Sequence, residues 1–169
     1  MPFSSRNVIR EGLVAGVIGA TSIAIWFLIV DTIAQRPLFT PALLGGGLLS
    51  VFERGANTGP ASFAESVIFY TFVHYAVFCV AGIIVSVVVG VAESTPSILG
   101  GFFILFIAFE IGIHGLVALL QESTILGALA WYQILIGNLL AAVFMGGYLW
   151  RRHPELSMEV RHALDGLGE

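Results

Sequence analysis

The chain has 169 residues, of which 57% are hydrophobic and only 11% are charged, whereas about 25% of the residues in a soluble domain are charged. The mean hydropathy of +0.96 places the protein in a lipid bilayer, and no stretch between the apolar runs is long enough for a separate catalytic domain. The net charge of −4 and the lack of a basic stripe exclude nucleic acid as a partner.

Four apolar runs, at residues 13–30, 66–92, 97–120 and 125–150, each approach or exceed the roughly 18 to 20 residues that a membrane-spanning helix needs. They predict an all-α integral membrane protein, an antiparallel bundle of four transmembrane helices. The transmembrane domain would comprise residues 1–152, with spans at about 11–34, 65–92, 97–120 and 125–150. Residues 153–169 would form a short cytoplasmic amphipathic tail, since Leu156, Val160 and Leu164 recur every four residues.

The distribution of arginine predicts the orientation of the chain. Five arginines flank the two termini and two lie in the first loop, so the positive-inside rule places both termini in the cytoplasm. The apolar run after Arg6 and Arg10 has no convincing cleavage site for a signal peptide. We therefore interpret it as an uncleaved first helix.

The predicted first helix starts near Ser5 or Arg10 and ends at about Ala34, before Pro37, because proline disfavours helix in the residue that precedes it. The following segment, residues 41–53, is apolar but too short to span a bilayer, and three glycines are expected to break it. We expect an interfacial or re-entrant segment on the outer leaflet. Small residues on one face of the first helix favour close helix packing; they are Gly12, Gly16 and Gly19.

The second helix is predicted to open with Ser62 and Glu65, which have the spacing of a capping box. A tight cytoplasmic turn at 93–96 precedes the third helix, and the fourth helix ends at Trp150, Arg151 and Arg152, an aromatic and basic anchor at the inner interface. Cys79, the single cysteine, excludes an intrachain disulfide and a cysteine metal cluster.

Three ionisable side chains fall well inside the predicted spans: His74, Glu110 and His114. Each such group costs roughly 2.5–3.5 kcal/mol at the helix centre, so each requires an explanation. At 1.5 Å per residue, His74 lies roughly 13 Å below the outer end of its helix, and His114 and Glu110 lie roughly 10 and 16 Å down theirs. Their depths overlap, so two imidazoles and a carboxylate can converge in the outer half of the bundle.

This set of side chains supports several interpretations. Two imidazoles and one carboxylate suit zinc, iron or another divalent transition metal, with a position left open. The same residues suit a simple interhelical hydrogen bond, a proton relay or small-molecule site, or haem with His74 and His114 as axial ligands. Asp31, near the outer end of the first helix, and Asn138, near the centre of the fourth, are predicted to support the site.

Several features resemble the YagU-like four-span proteins of bacterial inner membranes. They are a glycine-rich first helix ending in Arg36-Pro37-Leu38, His74 early in the second helix, Gly100-Gly101 with His114 in the third, and Trp131-Tyr132, Ile136-Gly137-Asn138 and Trp150-Arg151-Arg152 in the fourth. The resemblance implies a four-span fold and an inner-membrane location, and it implies no activity. Such proteins tend to have a histidine on the last helix where this chain has Asn138, which argues against a metal or haem ligand from that helix.

Two classes of function follow from the sequence. The first is a small non-enzymatic membrane protein whose buried polar site binds a metal ion or handles protons, with haem b as a further ligand. The second is a structural or accessory subunit, without its own ligand, in a larger membrane complex or a homo-oligomer. A membrane enzyme is the third alternative, because the sequence shows no arrangement of a nucleophile and a base. The accessory subunit would pack against its partner through Gly12, Gly16 and Gly19, or through the stripe Gly82, Ser86 and Gly90.

Overall fold

The computed structural model describes residues 5–52, 61–92 and 131–154. This part of the chain contains four helices, α1 (Ser5–Ile33), α2 (Phe39–Phe52), α3 (Phe63–Ala92) and α4 (Trp131–Arg152). Three of them are long and apolar enough to cross a membrane, namely Asn7–Ile33, Phe63–Ala92 and Tyr132–Arg152. The all-α, membrane-type architecture is thus confirmed for these residues. The predicted span at 97–120, the turn at 93–96, the start of the last span at 125–130 and the tail from 155 onward lie outside them.

Helix α1 ends with hydrogen bonds that satisfy its last carbonyl groups. The Arg36 N–H donates to the Asp31 carbonyl at 2.8 Å, and the Gln35 N–H donates to the Thr32 carbonyl at 3.0 Å. This pair of bonds is a Schellman motif, which places Gln35 in the left-handed region with φ of 60°. The helix therefore ends where the sequence predicts, and Pro37 follows the motif.

Helix α2 corrects one expectation. The glycines do not break the segment, because the helix continues through Gly45, Gly46 and Gly47 for 14 residues. A Cβ at Gly45 would overlap the backbone of Ser66, so the absence of a side chain lets α2 pack directly on α3. The segment is too short to span a bilayer, as predicted; its position on the outer leaflet stays a prediction.

Helix α3 begins with the predicted capping box. The Ser62 N–H donates to Glu65 Oε2 at 2.7 Å, and the Glu65 N–H donates to Ser62 Oγ at 3.3 Å. These reciprocal bonds satisfy two backbone donors that have no partner within the helix. The role of Glu65 is therefore structural.

Helices α1 and α3 cross at a glycine contact. A Cβ at Gly12, Gly16 or Gly82 would overlap backbone atoms of the opposing helix. Close approach of this kind stabilises helix pairs in a bilayer through van der Waals packing. The small-residue face of α1 is thus used inside the chain, and Gly19 packs on the Met145 side chain of α4.

Both α3 and α4 are antiparallel to α1. Gly12 lies opposite Ile83, whereas Thr21 further along α1 bonds to Tyr75. Just after the end of α4, His153 Nε2 lies 3.2 Å from Oε2 of Glu11, near the start of α1. Near the beginning of α4, the Gln133 carbonyl accepts a hydrogen bond of 2.8 Å from the indole N–H of Trp26, further along α1. Helices α3 and α4 are consequently parallel to each other, so Ala92 and Trp131 lie at opposite ends of the helix group.

The outer surface of this helix group is apolar. Only 22–28% of the residues in the most apolar windows of the three long helices are buried, and many large apolar side chains point outward, among them Ile68, Phe72 and Val143. The interior is small and contains Ala15, Val89, Ala92, Met145 and Leu149. An apolar exterior around a small core is the pattern of a protein that lipid surrounds.

Candidate functional site

A cavity of about 260 Å³ lies between α1, the start of α2 and the first half of α3. Its wall is mainly apolar, and two of the predicted site residues, His74 and Asp31, line it together. Ligand sites commonly combine an apolar wall with a few placed polar groups. The other polar side chains that line the cavity are Thr21, Thr40, Tyr70, Thr71 and Tyr75.

His74 is 8% exposed and is held by a backbone group of α1. Its Nε2 lies 3.1 Å from the Ala20 carbonyl oxygen. A carbonyl only accepts hydrogen bonds, so Nε2 carries the proton and Nδ1 of the neutral ring is an acceptor. Metal-binding histidines are commonly oriented in this way, with the second ring nitrogen donating to a backbone carbonyl.

Aromatic side chains fix the plane of the His74 ring. Tyr70 stacks on it with ring centroids 5.5 Å apart and an interplanar angle of 23°. Phe78 lies 4.8 Å away, one turn further along α3, and Tyr75 meets the imidazole edge-on at 5.8 Å. These contacts fix the position of the imidazole ring, and the hydrogen bond to Ala20 fixes which of its nitrogens carries the proton.

A hydroxyl pair connects α1 and α3 beside the histidine. Thr21 Oγ1 and Tyr75 Oη are 3.0 Å apart, and either one can donate. Each hydroxyl has one hydrogen and two lone pairs, so the accepting member keeps a hydrogen for a third group. Both residues also line the cavity.

Asp31, which also lines the cavity, has a structural role. Its Oδ2 accepts from the Thr40 N–H at 2.8 Å, and its Oδ1 accepts from the Thr40 hydroxyl at 2.8 Å. A carboxylate at a helix N-terminus satisfies free N–H groups and interacts favourably with the helix dipole. Asp31 therefore connects the start of α2 to the end of α1.

The remaining predicted site residues are elsewhere. Asn138 is half-buried on α4, next to Gly137, which packs against Trp26 of α1, and it is not in the lining of the cavity. Glu110 and His114 lie outside the described residues. Within 5–52, 61–92 and 131–154, no three side chains from histidine, cysteine, aspartate and glutamate come close enough to hold a metal ion.

Sequence reasoning missed most of the polar lining. Tyr70 had a usable signal, because it precedes His74 by one helical turn and so shares its face. No signal in the sequence pointed to Thr40, because its contact with Asp31 depends on how the chain turns between α1 and α2. In that turn Leu38 has φ of 62°, and its side chain also lines the cavity.

No protein-family model, curated protein or solved structure matches the chain. The site must therefore be interpreted from its own geometry.

Proposed function

We propose that this protein is a small four-span protein of the bacterial inner membrane that binds a divalent transition metal ion, or transfers protons, at His74. The observation that carries the proposal is the geometry of His74. A buried imidazole lines a cavity with its Nε2 held by a backbone carbonyl, an arrangement that suits a ligand at the second nitrogen.

Chain connectivity supports four spans with both termini in the cytoplasm. Helix α3 ends and α4 begins at opposite ends of the helix group, so residues 93–130 must connect the two ends. The sequence at 97–120 has the length and apolarity for that crossing. A fourth span there would bring both termini to one side, where the terminal arginines favour the cytoplasm.

The same span would supply the remaining ligands. Glu110 and His114 are four residues apart, so they share one face of a helix, and their predicted depth overlaps that of His74. A neutral imidazole, a second imidazole and a carboxylate are a common ligand set for zinc and for non-haem iron. In a proton relay the same carboxylate and imidazoles would exchange protons instead.

The accessory-subunit hypothesis receives less support from the packing. Gly12, Gly16 and Gly82, which it would use against a partner, contact each other within the chain, and Ser86 is 1% exposed. Bulky residues at these positions would disturb the fold before they disturbed a complex.

The test is elemental analysis and an absorption spectrum of the protein purified in mild detergent. We expect about one equivalent of a transition metal, lost in His74→Ala and in His74→Ala/His114→Ala. The matched control is His153→Ala, at the opposite end of the helix group beside Glu11, which should keep the metal. A haem absorption band lost in the double variant would support the haem alternative over a single metal ion.

Proton transfer is tested with the same variants in sealed vesicles that contain a pH-sensitive dye. A proton flux that His74→Ala abolishes and His153→Ala preserves supports the relay. A metal-free, colourless wild type that binds no added Zn²⁺ and carries no flux dependent on His74 contradicts the proposal. His74 would then be a buried residue that hydrogen-bonds α1 to α3.

A further inference from the structure

We propose that the cavity between α1, α2 and α3 binds a small organic cation, an alkylammonium or arylalkylammonium ion, with Asp31 as its counter-charge. The inference does not require a metal at His74. It rests on the charge at one wall of the cavity, on the aromatic side chains around it and on its size.

The first argument is the buried charge of Asp31. The residue is 4% exposed, and both of its oxygens accept hydrogen bonds from Thr40. Within the described parts of the chain it has no ion pair with a basic side chain. The nearest arginine in sequence, Arg36, is exposed and holds its guanidinium over the Phe39 ring at 4.1 Å.

Hydrogen bonds alone do not balance this charge. The N-terminus of α2 contributes roughly half a positive charge, and the carboxylate retains further lone pairs beyond the two that Thr40 uses. A buried ion is usually paired, because an unpaired one is costly in a medium of low dielectric constant. A ligand that carries a positive charge would complete the neutralisation, and an anionic ligand would be repelled.

The second argument is the aromatic lining. Phe27, Tyr70 and Tyr75 line the same cavity as Asp31. The negative faces of such rings attract a cation, and desolvated sites of this kind recognise quaternary ammonium groups. A mainly apolar wall also favours an organic cation over a hydrated inorganic one, since the alkyl groups gain from burial.

The third argument is size. The cavity of about 260 Å³ exceeds the roughly 150 Å³ that holds a benzene molecule in an apolar protein interior. It therefore has room for a benzyl group with a small ammonium head.

The experiment is isothermal titration calorimetry on the full-length protein in uncharged detergent, after a chelator has removed metal ions. Three ligands of similar shape and different charge are compared: benzyltrimethylammonium, benzyl alcohol and benzylsulfonate. We expect the cation to bind at least tenfold more tightly than the neutral ligand, and the anion not to bind. Equal affinities for all three, or binding of the anion, would overturn the proposal.

Variants test the role of the counter-charge. Asp31→Asn keeps an oxygen for Thr40 and removes the charge, so cation affinity should fall at least tenfold while benzyl alcohol binds as before. Glu65→Gln is the matched control, because it removes an exposed charge outside the cavity and glutamine also fits a capping box. Unchanged cation affinity in a folded Asp31→Asn protein would contradict the assignment.

A second pair of variants applies even where Asp31→Asn does not fold. Tyr70→Phe keeps the aromatic ring and should keep most of the affinity, whereas Tyr70→Leu should lose about fivefold. Equal affinities in the two variants would exclude an aromatic contribution. Because the calorimetry is done without metal, a failure of the cation to bind does not affect the proposal that His74 binds a metal ion. In the same way, a failure to find metal at His74 does not affect the cation proposal.

Discussion

Two residues between α1 and α2 adopt a backbone conformation that L-amino acids rarely take. Gln35 and Leu38 have φ of 60° and 62°. Gln35 is the residue after the helix cap in the Schellman motif, a position that glycine usually occupies. Leu38 follows Pro37 in a turn that the Phe39 N–H closes on the Arg36 carbonyl at 3.0 Å. These two residues direct the chain so that Thr40 meets Asp31.

We predict that Gln35→Gly stabilises the protein. A left-handed conformation costs a residue with a Cβ roughly 1–2 kcal/mol, and glycine avoids this cost. Part of the gain is lost, because glycine has greater conformational freedom in the unfolded chain. The free energy of unfolding should rise by about 1 kcal/mol, measured by denaturation in mixed micelles. Gln35→Ala is the control and should change little, because alanine keeps the Cβ. A loss of stability in Gln35→Gly would show that the glutamine side chain itself stabilises the turn.

At the scale of the elements, glycines determine which helices touch. Gly12, Gly16 and Gly82 bring the backbones of α1 and α3 together, and Gly45 does the same for α2 and α3. By contrast, among the residues that the structure describes, no neighbouring side chain or helix would lie within 4 Å of a Cβ at Gly146 or Gly147 of α4. Packing between the described helices therefore requires some of these glycines and does not require Gly146 or Gly147.

We predict opposite effects for two glycine-to-alanine substitutions. Gly82→Ala introduces a methyl group that overlaps the backbone of α1, and the resulting overpacking should lower the free energy of unfolding by about 1–3 kcal/mol. Gly147→Ala, the matched control, adds the same group where no neighbour in the described parts of the chain lies within 4 Å, and it should raise the free energy of unfolding by up to about 1 kcal/mol. Thermal and denaturant unfolding in detergent measure both. Similar losses in the two variants would contradict the close crossing of α1 and α3.

At the scale of the whole molecule, polar contacts hold the two ends of the helix group in different ways. The Asp31–Thr40 contact and the cavity lie at the end where α1 finishes and α3 begins. The Glu11–His153 contact lies at the other end, between the first turns of α1 and the residue after α4. This arrangement assigns the cavity to the outer side if the termini are cytoplasmic.

Sided labelling of single cysteines tests that assignment. In a Cys79→Ser background, Asn7→Cys and His153→Cys should react with a membrane-impermeant maleimide only when the cytoplasmic face is open. Ser62→Cys, an exposed position at the start of α3, should react in intact cells or right-side-out vesicles. Labelling of Ser62→Cys and Asn7→Cys from the same side would contradict the topology.

The sequence by itself determined the class of the molecule and the limits of several elements. Long apolar runs have few alternatives to helix in a bilayer, because every backbone polar group must find a partner within its own segment. Capping depends on neighbours in sequence, so Ser62 and Glu65 were recognisable without a structure. His74 was recognisable as a candidate site residue because an ionisable group is costly at that depth.

Only the tertiary structure decided what surrounds these elements. The glycines of α2 were expected to break a helix, since intrinsic propensity disfavours them; contact with α3 at Gly45 outweighs that preference. Asp31 was expected to support the histidine site; it lines the same cavity as His74, and it also caps α2 because the turn at Gln35 and Leu38 brings Thr40 to it. The cavity joins side chains from three helices, and such a meeting depends on helix crossings that no local pattern in the sequence encodes.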